Sequence, residues 1–281
     1  MFTIRRFAFC VGVIAAISLV EAGSVSAGWE TGAKVGFDTD VSRSISGGKS
    51  DSYLQGYAAY GREPDGETRL DWSFSAVGEA AAYASLNDLD YATITFSPGL
   101  VYFYRPGWII TGAPFLRAKG VRDSNQSAVA FGGKFLVKQQ LPSDFYLGEY
   151  YTYADSRANA DTFSFTEHAL GAFLGRNWTR TFYTELGYEF SRGDSFRSVG
   201  TSPSVQGGTG GFGGGMHSMF STAFGTEVVR ERVNRHAVGV TAGIDWTKKV
   251  FSAASYTFTD RLGDLGSSSS HSGFLGVGYR F

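Results

Sequence analysis

The feature that most constrains this chain is its last eleven residues, HSGFLGVGYRF, from His271 to Phe281. Every second residue back from the end puts Phe281, Tyr279, Val277, Leu275 and Gly273 on one face, with mostly Arg280, Gly278, Gly276 and Ser272 on the other. A period of two belongs to a strand, whose successive side chains point to opposite sides. The first face carries no charge and ends on an aromatic ring, while the second is small or polar. A strand divided in this way suits a wall between hydrocarbon and water. A soluble antiparallel sandwich can also end on an amphipathic strand, so the rest of the chain must decide.

The front of the chain agrees with its end. Met1 to Ala27 runs from Arg5 and Arg6 through the apolar stretch Phe7 to Val20 to the small residues Val25-Ser26-Ala27. That is the order of a secretory signal peptide, and its apolar core is shorter than the about 20 residues a membrane helix needs. Residues 1–27 are therefore expected to be removed, and residues 28–281 to form one domain. The single cysteine, Cys10, leaves with the peptide, so neither a disulfide framework nor a thiolate metal site is expected. Ending on Phe281 after strict alternation, the chain resembles bacterial outer-membrane β-barrel proteins of porin-like type. That resemblance implies an all-β, antiparallel up-and-down transmembrane barrel in the cell outer membrane, surrounded by outer-membrane lipid. It also implies that Leu275, Val277, Tyr279 and Phe281 are read by the barrel insertion machinery.

Aromatics make up 16% of the residues and glycine 38 positions, yet the mean hydropathy is only −0.10. Barrels keep hydropathy near neutral because lipid-facing and lumen-facing residues alternate. About twelve strand-like segments can be read: 31–42, 52–61, 67–79, 91–104, 108–120, 128–138, 145–154, 163–175, 181–190, 236–246, 250–259 and 271–281. Connections after the even segments are short, and those after the odd ones are longer and polar. This predicts periplasmic termini and external long loops, with Trp108, Trp178 and Trp246 in a girdle at the short-turn end. Pro98 and Pro114, equidistant from Pro106, are expected to face each other across a hairpin as a shared bend or bulge. Ser191 to Arg235 is too long for a plain loop. It is placed outside the spanning wall, folded into the mouth, with Met216 to Arg235 able to form a helix or a strand extension.

If the aromatic faces meet lipid, the charges of the opposite faces point inward. The predicted lumen-lining set is Lys34, Asp38, Arg69, Asp71, Arg117, Lys119, Lys134, Glu149, Glu185 and Asp245, joined by Glu79, Lys138, Glu167 and Glu189. Segments five and six supply only bases and segments seven to ten only acids, so a transverse field would act on solutes. The competing expectation is that the charges pair across strands and fill the barrel, with Lys134 opposite Glu149.

An enzyme is disfavoured. Of His168, His217, His236 and His271, two adjoin a serine, but neighbours on a strand point to opposite faces. No metal-ligand spacing is present, and Gly207 to Gly215 lacks the Lys-Ser or Lys-Thr of a phosphate loop, so no cofactor is expected. A net charge of −1 gives no reason to expect nucleic acid. The favoured function is passive passage of small polar or charged solutes. The alternative is a non-conducting structural or adhesion barrel acting through external loops such as Asp40 to Ser50 and Ser191 to Arg235.

Overall fold

The protein is described here from a computed structural model covering residues 27–45, 47–64, 66–199 and 218–281. The predicted signal peptide falls almost wholly on residues 1–26, outside the described residues, as do Gly207–Gly215 and His217. The strands are β1 (Ala27–Asp38), β2 (Asp51–Arg62), β3 (Leu70–Tyr83), β4 (Tyr91–Arg105), β5 (Trp108–Val121), β6 (Ala128–Gln140) and β7 (Phe145–Ala158). They continue as β8 (Phe165–Asn177), β9 (Phe182–Val199), β10 (Ser218–Ser221), β11 (Thr226–Asp245), β12 (Val250–Gly263) and β13 (Gly266–Arg280). Every pairing is antiparallel. The ring closes where β1 meets β13, from Glu30 opposite Arg280 to Asp38 opposite Ser272, and where β9 meets β11 across the loop between them. Twelve strands form the wall. The thirteenth, β10, pairs only with the start of β11, as an appendage at the mouth.

Alternation sorts the side chains. Val35, Leu54, Ile94, Leu100, Leu170 and Leu275 all point outward and are more than half exposed, Ile94 by 62%. A soluble sheet would bury such residues at a gain of about 1.5–3 kcal/mol each. Here they cover the outer wall, a surface suited to hydrocarbon. Trp29, Trp178 and Trp246 stand exposed at the short-turn end, and Trp108 opens β5 beside them. Outward aromatics thus edge the band at that end.

The wall runs further toward the loop end than the apolar pattern indicates. β9 and β11 extend to Val199 and back to Thr226, so 191–199 and 226–235 are paired strand rather than loop. β12 and β13 likewise continue to Gly263 and Gly266, joined by Asp264 and Leu265 alone, so the expected long final loop is a tight hairpin. Beyond the hydrocarbon both faces meet water or polar neighbours, and runs such as Ser267–Ser270 carry no apolar alternation to read. Pro98 and Pro114 are brought opposite each other by the register Phe96–Leu116 and Leu100–Gly112, and both point outward. The β4–β5 ladder lapses at Ser97–Gly99 opposite Ala113–Phe115, as the facing prolines lead one to expect, and a register shift lies further on at Phe103/Arg105.

Inward aromatic rings lie over glycines of the adjoining strand. A Cβ on Gly171 would collide with the Tyr150 ring, and one on Gly175 with that of Tyr146. Both tyrosines belong to the buried group Leu136, Tyr146, Tyr150 and Phe173 that pads this side of the lumen. Gly175→Val must lift Tyr146 off the wall and is expected to destabilise the barrel by about 1–3 kcal/mol. A lowered temperature of heat-modifiable gel migration checks this, and an unchanged temperature contradicts the packing.

Candidate functional site

The lumen collects the charges. At the short-turn end, Arg280 Nη1 of β13 donates to Asp245 Oδ1 of β11 at 2.8 Å, and Arg280 Nε lies 3.5 Å from Glu30 Oε2 of β1. Glu30 also accepts from the Tyr57 hydroxyl at 2.9 Å. Asp71 is buried and paired with Arg62 at 3.1 Å, and that guanidinium covers the Trp72 ring.

Along the lumen, two kinds of wall lie side by side, with β7 between them. The basic side is β5 and β6. Arg117 Nε donates to Thr95 Oγ1 at 3.0 Å, Lys119 Nζ lies 4.8 Å from the centre of the Tyr91 ring, and Lys134 and Lys138 lie over the Tyr150 and Tyr146 rings at 4.3 and 4.5 Å. The acidic side is β8 and β9, with Glu167, Glu185 and Glu189 inward. The β7 tyrosines between them bridge the two, because Tyr146 donates to Glu185 at 3.3 Å and Tyr150 to Glu189 at 2.7 Å while their rings carry the lysines. Lys34 of β1 points inward over Phe274.

Toward the loop end Arg235 of β11 is clasped by Glu167 and Glu189, and its Nε donates to Ser191 Oγ at 3.0 Å. Above it Arg197 and Glu231 pair at 3.3 Å, both essentially without solvent contact. The β1–β2 loop then enters the mouth. Asp40 Oδ1 accepts from the Ser42 hydroxyl and from the Ser44 amide, each at 3.0 Å, which folds the loop on itself. Its tip, Arg43, has φ of 51°, donates to Ser195 Oγ of β9 at 2.7 Å and covers the Phe196 ring at 4.5 Å. Burial draws the Arg43 pKa below the usual arginine range, while the Glu167 carboxylate acts in the opposite sense. Over this sits an apolar cap of Leu89, Phe163, Ala223, Phe224 and Val228, drawn from three loops and the start of β11, with Val41 packed against it.

The expected lumen set is therefore distributed as follows. Lys34, Asp38, Arg117, Lys119, Lys134, Glu185 and Asp245 occupy inward positions, with Asp71 paired at the turn end. Two members lie elsewhere. Arg69 precedes β3 and is exposed in the short connection. Glu149 stands exposed on the outer face, because Tyr146, Gly148 and Tyr150 hold the inward phase of β7. It lies opposite Val137 and Ala172, so Lys134 faces Thr152 instead. In β7 both phases carry aromatics, which removes the contrast that sets direction elsewhere. Glu30, Arg235, Arg261 and Arg280, absent from the expected set, also line the interior. Arg235 and Arg261 lie in stretches that lack apolar alternation. Arg43 belongs to a loop whose self-folding depends on one buried aspartate, Asp40. Leu275, Val277, Tyr279 and Phe281 all lie on the outer face.

His168, His236 and His271 lie on the outer wall with Nδ1 against a tyrosine hydroxyl. Among the described residues no group of three His, Cys, Asp or Glu is arranged to hold a metal ion.

Glu149 is level with a band that should be uncharged. Glu149→Leu is expected to stabilise the lipid-embedded barrel by about 1–3 kcal/mol, in line with the cost of ionised groups on lipid-facing walls. Denaturant unfolding from vesicles measures it, and a loss of stability would return Glu149 to the lumen.

No family model and no curated protein sequence matches the chain. Solved structures do match in fold. The COG4313 outer membrane channel from Pseudomonas putida F1 is 12% identical, with 93% of this chain and 97% of that one covered and a TM-score of 0.59. The KdgM porin is 10% identical, with 90% and 99% covered and a TM-score of 0.51. The NanC porin is 10% identical, with 89% and 98% covered and a TM-score of 0.50. The chain shares the barrel fold of these channels.

Proposed function

We propose that this chain is an outer-membrane channel for passive passage of small polar or charged solutes, in a closed conformation here. The observation that carries the reading is the division of the lumen into a basic side, Arg117, Lys119, Lys134 and Lys138, and an acidic side, Glu167, Glu185 and Glu189. Unlike charges on neighbouring stretches of the lumen wall set up a field that a passing ion feels, as rings of charge do in pores, even with Glu167 and Glu189 shared with Arg235. The fold likeness to the channels named above supports the location and the class of activity. One of them is described in complex with disordered oligogalacturonate. The basic stripe of this chain suits carboxylated solutes of that chemical class.

The closed state rests on the β1–β2 loop and the apolar cap, which stand across the loop-end mouth. Withdrawal of Arg43 from Ser195 and Phe196 opens the route. A specific observation also favours the non-conducting alternative, namely the clasped Arg235 and the cap built on Phe224. Planar-bilayer recording separates the two readings. The channel reading expects brief unitary steps from the native protein and longer openings from Arg43→Ser. Arg117→Glu with Lys134→Glu is expected to shift the reversal potential toward cation preference by about tenfold in permeability ratio, or roughly 1.4 kcal/mol. Silence from both native protein and Arg43→Ser would establish a filled barrel.

A further inference from the structure

The three described histidines share one setting. His168 lies opposite Tyr153 and 2.7 Å from the Tyr151 hydroxyl, His236 opposite Phe190 and 2.8 Å from that of Tyr188, and His271 opposite Phe258 and 2.6 Å from that of Tyr256. Tyr151, Tyr188 and Tyr256 each stand six places after the first residue of their strands, Phe145, Phe182 and Val250, so the pairs lie at one level. Below it the outward residues are Leu170, Leu186 and Val238. Further toward the loop end stand Arg157 of β7, past Tyr153 and Asp155, Arg192 of β9, past Phe190, and Arg232 of β11, past Asn234. This level is where the outer wall leaves hydrocarbon at the loop end.

On one side of the barrel the residues at that edge form a platform. The register sets Arg192 of β9 directly between His168 of β8 and Asn234 of β11. Arg232 and His236 flank Asn234 at the next outward positions of β11. Of the carboxylates here, Asp161, 49% exposed, lies 3.1 Å from the Arg230 guanidinium, while the other two are tucked in. Asp194, 20% exposed, supports Arg230 and Arg232, and Asp155, 7% exposed, supports Arg157, whereas the Arg157 and Arg232 side chains are 66% and 68% exposed. With Arg192 also exposed, cations outnumber the one open carboxylate at this edge.

We propose that His168, Arg192, Arg232, Asn234 and His236 bind the phosphate of a membrane lipid whose acyl chains lie along Leu170 and Val238. A guanidinium fork matches phosphate oxygens, and arginine desolvates more readily than lysine at such a boundary. In the tautomer whose Nδ1 accepts from the tyrosine hydroxyl, the imidazole proton is on Nε2, where it can donate to the anion. A free anion would gain nothing from the adjoining hydrocarbon band, which is why the occupant is a lipid.

The test is native mass spectrometry of the detergent-purified barrel given equal amounts of dioleoyl phosphatidic acid and dioleoyl phosphatidylcholine. The native protein is expected to retain the phosphatidic acid by roughly tenfold over the zwitterion. Arg192→Gln with Arg232→Gln should bring the two lipids near parity, while Arg122→Gln, in the exposed β5–β6 connection, should leave the preference intact. Should the double variant fail to give the heat-modifiable band, His168→Gln with His236→Gln takes its place and must lower the preference. Equal retention by the native protein, an undiminished preference in the substituted barrel, or displacement of the lipid by inorganic phosphate would each overturn the proposal.

Discussion

The constraint on which the rest depends is that a peptide group facing hydrocarbon has no water to bond. Each amide and carbonyl in that environment must find its partner within the protein, and a sheet meets the demand only when it has no edge. The seam between β1 and β13 is therefore the decisive pairing, since without it the edges of Ala27–Asp38 and Gly266–Arg280 would be bare. The pairing of β9 with β11 over Glu227–Ile244 completes the ring and leaves β10 outside it.

Closure then determines where charge can go. With the outer wall given to Leu, Ile, Val and aromatic rings, charge is confined, Glu149 apart, to the interior and the two rims. Inside, charges do not float. Lysines lie on tyrosine rings whose hydroxyls bind glutamates, so Lys134, Tyr150 and Glu189 form a chain from the basic side to the acidic one. At the mouth the logic changes from charge to apolar packing, as Phe224, Phe163 and Leu89 draw separate loops together above Arg43.

The sequence carries the fold where one face meets oil and the other water. Tyr91 to Tyr104 is read nearly to the residue, and the closing strand is identified by Leu275, Val277 and Tyr279. Legibility fails where that contrast fades. The serines of β13 and the charged stretch of β11 form strand because their neighbours need partners, and their own composition gives no sign of it. In β7 the run Glu149-Tyr150-Tyr151-Thr152-Tyr153 offers aromatics to both faces, and glycines beneath Tyr146 and Tyr150 settle which phase points inward. The same limit applies to the site. Lys134 and Glu185 follow from alternation, but the position of Arg43 depends on a loop fold that has no periodic signature.

The ring's seam is open to direct measurement. Ala33 of β1 and Val277 of β13 are register partners on the outer face, in a chain whose one cysteine is Cys10. Oxidation of the Ala33→Cys, Val277→Cys protein in membranes should link the two strands, giving a species whose altered migration survives boiling and disappears on reduction. Ala33→Cys with Leu116→Cys, on distant strands, should remain unlinked under the same conditions. Failure of the first pair to link while a hairpin pair such as Phe135→Cys with Tyr151→Cys does so would mean the cylinder is open between its first and last strands.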